Sequence, residues 1–462
     1  MCRRRSGGAL EPWREVRALR HRSGLNGLGQ LQYGWDPACV RSRSRASRLG
    51  CSLRNVVRVL LLSSLWPPAV LGGAELHAAQ LAERLVDAGH EVGVVTYGSP
   101  GERVIAQVPS KPYPLQEFAS QPASKRALMH LRDVWNPDTA SILEKAISDF
   151  APDVVHSHTV QGMSAVALTR PGKMQIPHVH TLHDYWLLCQ RTSMVQRDGT
   201  ACTSSCRGCA AITAVRERQI RGNAPDVVLG VSKAVTAEHE RLEWASGRLR
   251  ILYNPVESPP EPRPVRDVGA PVFGYLGQLA AYKGVGTLLS AFKAADIRGS
   301  RLLVGGRGPL LSEVQSAGAA PSGAAPSSAA PSGAAPSGAA PSGGGVEALG
   351  WVGGDTKEQF FNEIDCLVVP SEWSDPAPIV LNEARARGIP VIGAEAGGIP
   401  ELISPKASAL LFPSRDSGAL SDRLRMFAAA PADYTAPPEL APLDWAGHLE
   451  GLMTAYRDAG AR

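Results

Sequence analysis

The sequence predicts an α/β protein made of two Rossmann-like halves with parallel sheets, and three observations lead there. The chain has 462 residues, beyond the size at which a single hydrophobic core keeps growing. Short β-branched or leucine-rich runs alternate with stretches of helical periodicity, the pattern of strand, crossover helix and parallel strand. Two such series are separated by Pro255, Pro259, Pro260, Pro262 and Pro264, a density of prolines that makes a stiff connection without ladder hydrogen bonds.

The first series begins with an apolar run at 56–63, followed by Gly72-Gly73 and a helix at 75–88 whose Leu76, Ala79, Leu81, Leu85 and Val86 fall near helical spacing. Gly89-His90 ends that helix, and strands are expected at 92–96, 153–158, 178–182 and 227–231. All are short and apolar enough to be covered on both faces. The second series has a strand at 272–276, a helix at 286–295 and strands at 301–304, 348–351, 366–370 and 390–393. Leu449, Leu452 and Met453 mark a terminal helix. The expected organisation is a leader at 1–54, a first half at 55–258, a linker at 259–268, a second half at 269–440 and a terminal helix within 441–462.

Composition narrows the function. At 44% hydrophobic and 20% charged residues, most of the chain should fold. No apolar run approaches the roughly 18 residues of a membrane helix, since the best, 56–65, carries Arg58, Ser63 and Ser64. The net charge of +5 is lopsided: twelve arginines against Glu11, Glu15 and Asp36 give the leader +9 and leave −4 for the remainder. A basic nucleic-acid surface on the folded part therefore loses its support, and no nucleic-acid partner is expected. The leader lacks a continuous apolar segment with a small-residue cleavage site, which points away from a secretory signal and towards the cytoplasm. It reads as a disordered extension in preference to a basic arm. Tandem Ala-Ala-Pro-Ser-Gly units at 317–345 have no large apolar side chain and read as a disordered surface insertion.

Ligands of parallel sheets bind beyond the carboxyl ends of the strands. Gly72-Gly73 stands there in the first half, where glycine lets backbone N–H groups approach a phosphate. In the second half Gly277-Gln278-Leu279-Ala280-Ala281-Tyr282-Lys283-Gly284 directly follows a strand, and its lysine is suited to a diphosphate whose negative charge grows as it departs. The segment from Asp375 to Glu383 holds one carboxylate before a helix and another inside it, because Pro376 and Pro378 keep Asp375 outside. Two such carboxylates can grip two hydroxyl-bearing parts of one ligand, with free N–H groups between them.

The ordered set of Gly72-Gly73, 153–158, Thr181-Leu182-His183-Asp184, Asn254-Pro255, 277–284 and the block from Pro370-Ser371 to Gly398-Ile399-Pro400-Glu401 resembles the retaining glycosyltransferases of family 4. The resemblance covers about residues 55–460 and implies the GT-B architecture, with a nucleotide-sugar donor (UDP-, GDP- or ADP-linked) in the cleft between the halves. It also implies transfer with retention of configuration, no cofactor needed for catalysis, and a glycan or lipid-linked acceptor of glycoconjugate or polysaccharide assembly. A lipid-linked acceptor is compatible with peripheral attachment at the inner face of the membrane. Carried over by position, Lys283 holds the diphosphate, Glu383 the ribose hydroxyls and Asp375 the hydroxyls of the transferred sugar. His183 lies beside that sugar, Gly72 and Gly73 close over the phosphates with Gly277 and Gln278 opposite, and Ile379, Val380 and Leu381 give mainly backbone contacts. The family usually has Arg where this chain has Gln278, which removes one positive charge, and usually Glu where it has Asp375. A nucleotide-sugar epimerase and a non-catalytic nucleotide-sugar sensor are the competing readings.

Cys189, Cys202, Cys206 and Cys209 follow His183-Asp184-Tyr185-Trp186 closely. Four thiolates at short range can close a tetrahedral structural zinc site; thiols without a metal, an iron–sulfur cluster and disulfides remain alternatives.

Overall fold

In a computed structural model, residues 56–461 are described except 71, 112–114, 116, 118–120, 197–201, 203–206, 258–268, 319–344, 404 and 435–443. The leader, the linker, Cys206 and nearly all of the Ala-Pro-Ser-Gly insertion lie outside the described residues.

The first half contains β1 (Arg58–Ser63), α1 (Gly73–Asp87), β2 (Glu91–Tyr97), β3 (Val104–Val108), α2 (Ala123–Val134), α3 (Pro137–Phe150), β4 (Val154–Ser157), α4 (Val166–Lys173), β5 (His178–Leu182), α5 (Arg207–Ile220), β6 (Val227–Gly230), α6 (Lys233–His239) and β7 (Leu249–Ile251). Its seven strands run in the order β3-β2-β1-β4-β5-β6-β7, all parallel. The second half contains β8 (Val272–Leu276), α7 (Val285–Ala295), β9 (Arg301–Gly305), α8 (Leu311–Gly318), β10 (Val346–Gly350), α9 (Asp355–Glu363), β11 (Cys366–Val369), α10 (Ile379–Arg385), β12 (Val391–Ala394), α11 (Ile399–Leu402), β13 (Leu411–Phe412), α12 (Ser417–Ala429), α13 (Pro431–Tyr434) and α14 (Trp445–Asp458). Its six strands are also parallel, in the order β10-β9-β8-β11-β12-β13.

Both strand orders turn back beside the first strand, at β1/β4 and at β8/β11. Such a reversal opens a crevice outside the carboxyl ends, which is where these sheets bind ligands. The central strands are apolar runs buried on both faces, as β4, β5, β6, β11 and β12 show, and the helices supply the covering layers.

The terminal helix belongs by packing to the first sheet. Leu452, Ala455 and Tyr456 of α14 join Val59, Leu61, Val154 and Val179 in one buried cluster, so the chain crosses back after completing the second half. Asp444 caps α14 by accepting from Gly447 N–H at 2.7 Å, which fixes where the return begins. Among the described residues no helix is long and apolar enough to cross a membrane.

Candidate functional site between the two sheets

The Gly72-Gly73 turn leads into α1, and the Glu75 carboxylate fixes it by accepting from Gly72 N–H at 2.9 Å. Gly73 lies against α10 across the boundary between the halves: a Cβ there would stand 2.9 Å from Ile379 Cδ1. The sequence-predicted residues of the first turn and of α10 are thus brought together. Further contacts cross the same boundary. Tyr185 Oη and Ser374 Oγ lie 3.0 Å apart. Glu401 accepts from Lys233 N–H and Ala234 N–H, each at 3.0 Å, and from Tyr253 Oη at 2.9 Å.

On the second half's face, Lys283 Nζ donates to Asp375 Oδ2 at 2.6 Å. The same oxygen accepts from Ser371 Oγ at 3.1 Å and Trp373 Nε1 at 3.2 Å, and the ammonium lies 4.9 Å from the Trp373 ring centre. Asp375 is buried, so its carboxylate depends on these donors. The loop geometry follows from Gly284, whose φ is +74° and whose Cβ would collide with Pro370 O at 1.8 Å; only glycine lets the lysine turn close against the end of β11. Gln278 is held by backbone and side chain, since Tyr275 Oη donates to its carbonyl at 2.7 Å and Tyr282 Oη donates to its Oε1. Gly277 is tightly packed against the next strand end, with its carbonyl where a Cβ on Gly306 would be.

Glu383 lies on α10, as its distance from Pro378 implied, together with Ile379, Val380 and Leu381. Its Oε1 accepts from Lys357 Nζ at 2.6 Å. Sequence reasoning missed Lys357, and missed that Lys283 and Asp375 pair with each other; charge partners on different elements leave no trace in local spacing.

On the first half's face, His183 follows β5 and is fixed by His158, its Nε2 lying 3.0 Å from His158 Nδ1. Around them stand His77, His156 and His448. His77 is 5.3 Å from His183 and from His448, ring centre to ring centre, and stacks on Trp445 at 5.9 Å. His156 is 4.2 Å from His158; its Nδ1 lies 2.9 Å from Tyr456 Oη and its Nε2 2.8 Å from Thr181 Oγ1. Burial pushes His183 down to about 3, with His448 adding repulsion, and pushes His448 down to about 4. His77, His156 and His158 are lowered well below the usual value, first by burial and then by neighbouring histidines, foremost His183 for His77, His180 for His156 and His156 for His158. At neutral pH this face therefore presents neutral imidazoles, able to exchange hydrogen bonds with hydroxyls. Burial also pushes Asp184 up to about 6, although the Trp186 N–H bond opposes it.

The sequence offered a signal for this cluster that went unused. His156-Ser157-His158 and His178-Val179-His180 are two histidine pairs at strand period, so members of each pair share a face. Ser157 Oγ lies 2.8 Å from His178 Nε2 and 2.9 Å from His180 Nδ1, which places the second pair on the other face.

Behind His183, the segment Asp184 to Leu188 is pinned by a buried ion pair. Arg216 of α5 donates to Asp133 Oδ2 at 2.8 Å and to Trp186 O at 2.6 Å, with its guanidinium 4.0 Å from the Trp186 ring centre. Asp133 also accepts from Gly162 N–H at 2.8 Å and Trp186 Nε1 at 2.6 Å. Of the four cysteines nearby, Cys206 lies outside the described residues. Cys189 is buried, and Cys202 and Cys209 are partly buried.

Comparison with known proteins adds a second line of observation. A family model described as Glycosyltransferase Family 4 matches residues 71–258, and one described as Glycosyl transferases group 1 matches residues 270–429. A Klebsiella pneumoniae protein named as an uncharacterized 42.6 kDa protein in the cps region is 26% identical over 360 residues, covering 75% of this chain and 87% of that protein. An uncharacterized glycosyltransferase of Methanocaldococcus jannaschii is 22% identical over 379 residues, covering 77% and 84%. Among solved structures, sucrose-phosphate synthase from Thermosynechococcus elongatus superposes with a TM-score of 0.63 at 17% identity, covering 87% of this chain and 98% of that one. Anabaena HepE in complex with UDP and glucose gives 0.61 at 15% identity, covering 87% and 99%. At these identities the structures establish the two-sheet architecture.

Proposed function

Since the chain belongs to the glycosyltransferases of family 4 and group 1, and is thereby an enzyme of the GT-B fold, we propose that it transfers a sugar from a nucleotide donor with retention of configuration. The donor lies between the Gly72-Gly73 turn and α10, and the acceptor is a hydroxyl of a growing surface glycan or lipid-linked glycan. The observation that carries this reading is the meeting of Gly73 with Ile379 four residues beyond an Asp375 already paired to Lys283. The Anabaena HepE structures in complex with UDP and with UDP-glucose make uridine diphosphate sugars the first class to test. The Klebsiella relative's place in a cps region supports the surface-polysaccharide acceptor.

The geometry suggests an exchange of partners. An arriving diphosphate draws the Lys283 ammonium away from Asp375, and the released carboxylate accepts from hydroxyls of the sugar. Lys283 then opposes the charge that grows on the phosphate oxygen as its bond to the anomeric carbon breaks. The acceptor oxygen forms its bond to that carbon on the same face, and its proton passes to the departing phosphate oxygen. Neutral His183 offers the sugar a hydrogen bond without introducing charge, and Glu383 turns from Lys357 to the ribose hydroxyls. Gln278 leaves the diphosphate with less positive charge, so backbone donors at the loop ends carry more of the binding.

A panel of nucleotide sugars incubated with the full-length protein tests the reading, with product anomers assigned by proton coupling. Release of nucleotide dependent on an acceptor, lowered by Lys283→Ala and Glu383→Ala, is expected. Turnover untouched by both substitutions would remove the donor site from this cleft.

A further inference from the structure

We propose that His77, His158 and His183 form a site for one divalent transition-metal ion of the imidazole-preferring, zinc-like class. Each contributes one ring nitrogen, and the three nitrogens lie within 4.8 Å of one another, the only such set of three among the described residues. They come from three elements: His77 from α1, His158 from the residue after β4 and His183 from the residue after β5. That convergence sits at the carboxyl end of the first sheet, against the cleft.

Distances fit the ion. A tetrahedral centre with zinc–nitrogen bonds of about 2.0–2.1 Å holds its ligand nitrogens about 3.3–3.4 Å apart. His158 Nδ1 and His183 Nε2 already stand 3.0 Å apart, and small ring rotations bring the third nitrogen in. His158 is 2% exposed, so the ligand nitrogen it offers is shielded from bulk water.

The surroundings are prepared as metal sites are. His156 is held on both nitrogens by Tyr456 and Thr181, and His448 is held by its contact with Tyr253 O at 3.0 Å. These rings wall the site and restrict how the three ligands can turn. His77 and His158 are buried, whereas His183 is half-buried. The fourth coordination position therefore falls on the His183 side, where water or an oxygen ligand can reach it from the cleft.

The site needs no sugar chemistry, but one consequence rests on the transfer reading: an ion on His183 removes it from the donor sugar, so metal and donor compete. The test uses the full-length protein, stripped with chelator and titrated with Co²⁺ under visible absorption. One ion per chain is expected, with the weak ligand-field bands of tetrahedral imidazole coordination and no thiolate-to-cobalt charge transfer. His77→Gln and His158→Gln should weaken Co²⁺ binding by at least about tenfold, while Cys202→Ser and Cys209→Ser leave it unchanged. Absence of Co²⁺ uptake by the unsubstituted protein overturns the site, as does a thiolate charge-transfer band that disappears in Cys202→Ser. The unsubstituted spectrum decides even where a histidine variant fails to fold. Zn²⁺ should slow transfer and chelator restore it; Co²⁺ bound as described without any slowing upholds the metal site and counts against His183 beside the sugar.

Discussion

The two faces of the cleft are built from different chemistry. The first half presents neutral imidazoles, His77, His158 and His183, with no cation bonded to them among the described contacts. The second presents ions already satisfied by each other, Lys283 with Asp375 and Lys357 with Glu383. Between residues 240 and 447 there is no histidine at all. The difference matches what each face is proposed to meet. A polyol is uncharged and is held by groups that can both donate and accept, whereas a diphosphate needs cations, and parking those cations on carboxylates keeps them oriented until it arrives.

The largest expected effect breaks the ionic side. Lys283→Ala should lower kcat/KM for transfer by about 10²- to 10³-fold, the scale for losing one group that opposes developing charge, as measured by nucleotide release at saturating acceptor. A change under threefold would mean the ammonium does not meet the leaving group.

Next comes the frame of the imidazole side. Arg216→Ala leaves Asp133 buried without its cation, so urea unfolding should show a loss of about 3–5 kcal/mol. Arg216 and Asp133 side chains are 1% and 3% exposed, which is why solvent does not rescue the orphaned carboxylate. An equal loss from Arg301→Ala, whose pairs with Glu347 and Glu363 are on the surface, would contradict the distinction.

Acid should separate the two halves more gently. His178 and His183 are pushed down to about 3, and His239 and His448 to about 4, in each case mainly by burial. The unfolded chain therefore binds more protons than the folded one from about pH 6.5 down towards 4 and 3, so stability falls as pH drops through that window. Asp184, pushed up to about 6, works in the opposite direction, gaining stability as pH falls, but it is one group against several. The melting temperature should decline from pH 7 to pH 5, with the amide exchange of β4 and β5 accelerating before that of β8 and β11. Uniform acceleration would remove the histidines as the cause.

The smallest effect concerns Lys357. Its pair with Glu383 is part-exposed at 31% and 18%, and such pairs contribute about 0–1 kcal/mol. Lys357→Met should shift the donor KM by no more than about fivefold and leave the melting temperature nearly unchanged. A collapse of activity would place Lys357 itself on the donor.

How much of this was readable from sequence follows the same physics. The strands at His178–Leu182 and Val272–Leu276 were bounded correctly, because strands buried on both faces are continuous apolar runs ended by turn residues. Edge strands such as β7 and β13, three and two residues long, carry too little pattern to detect. The placement of Lys283 on a loop, Asp375 before a helix and Glu383 within it was legible because the glycines and prolines around them fix a loop and a helix start. Their actual partners were not, since Lys283 finds Asp375 across 92 residues. His448 reaches the cluster from α14, some 370 residues from His77 along the chain, and only the folded return of that helix brings them together.

The most direct measurement is a crystal structure with an unhydrolysable uridine diphosphate sugar bound. The account predicts the analogue between the Gly72-Gly73 turn and α10, Lys283 Nζ on a phosphate oxygen, and Asp375 on sugar hydroxyls with its ion pair broken. An analogue bound in that cleft with the Lys283–Asp375 contact intact, or bound outside it, would contradict the partner exchange on which the mechanism depends.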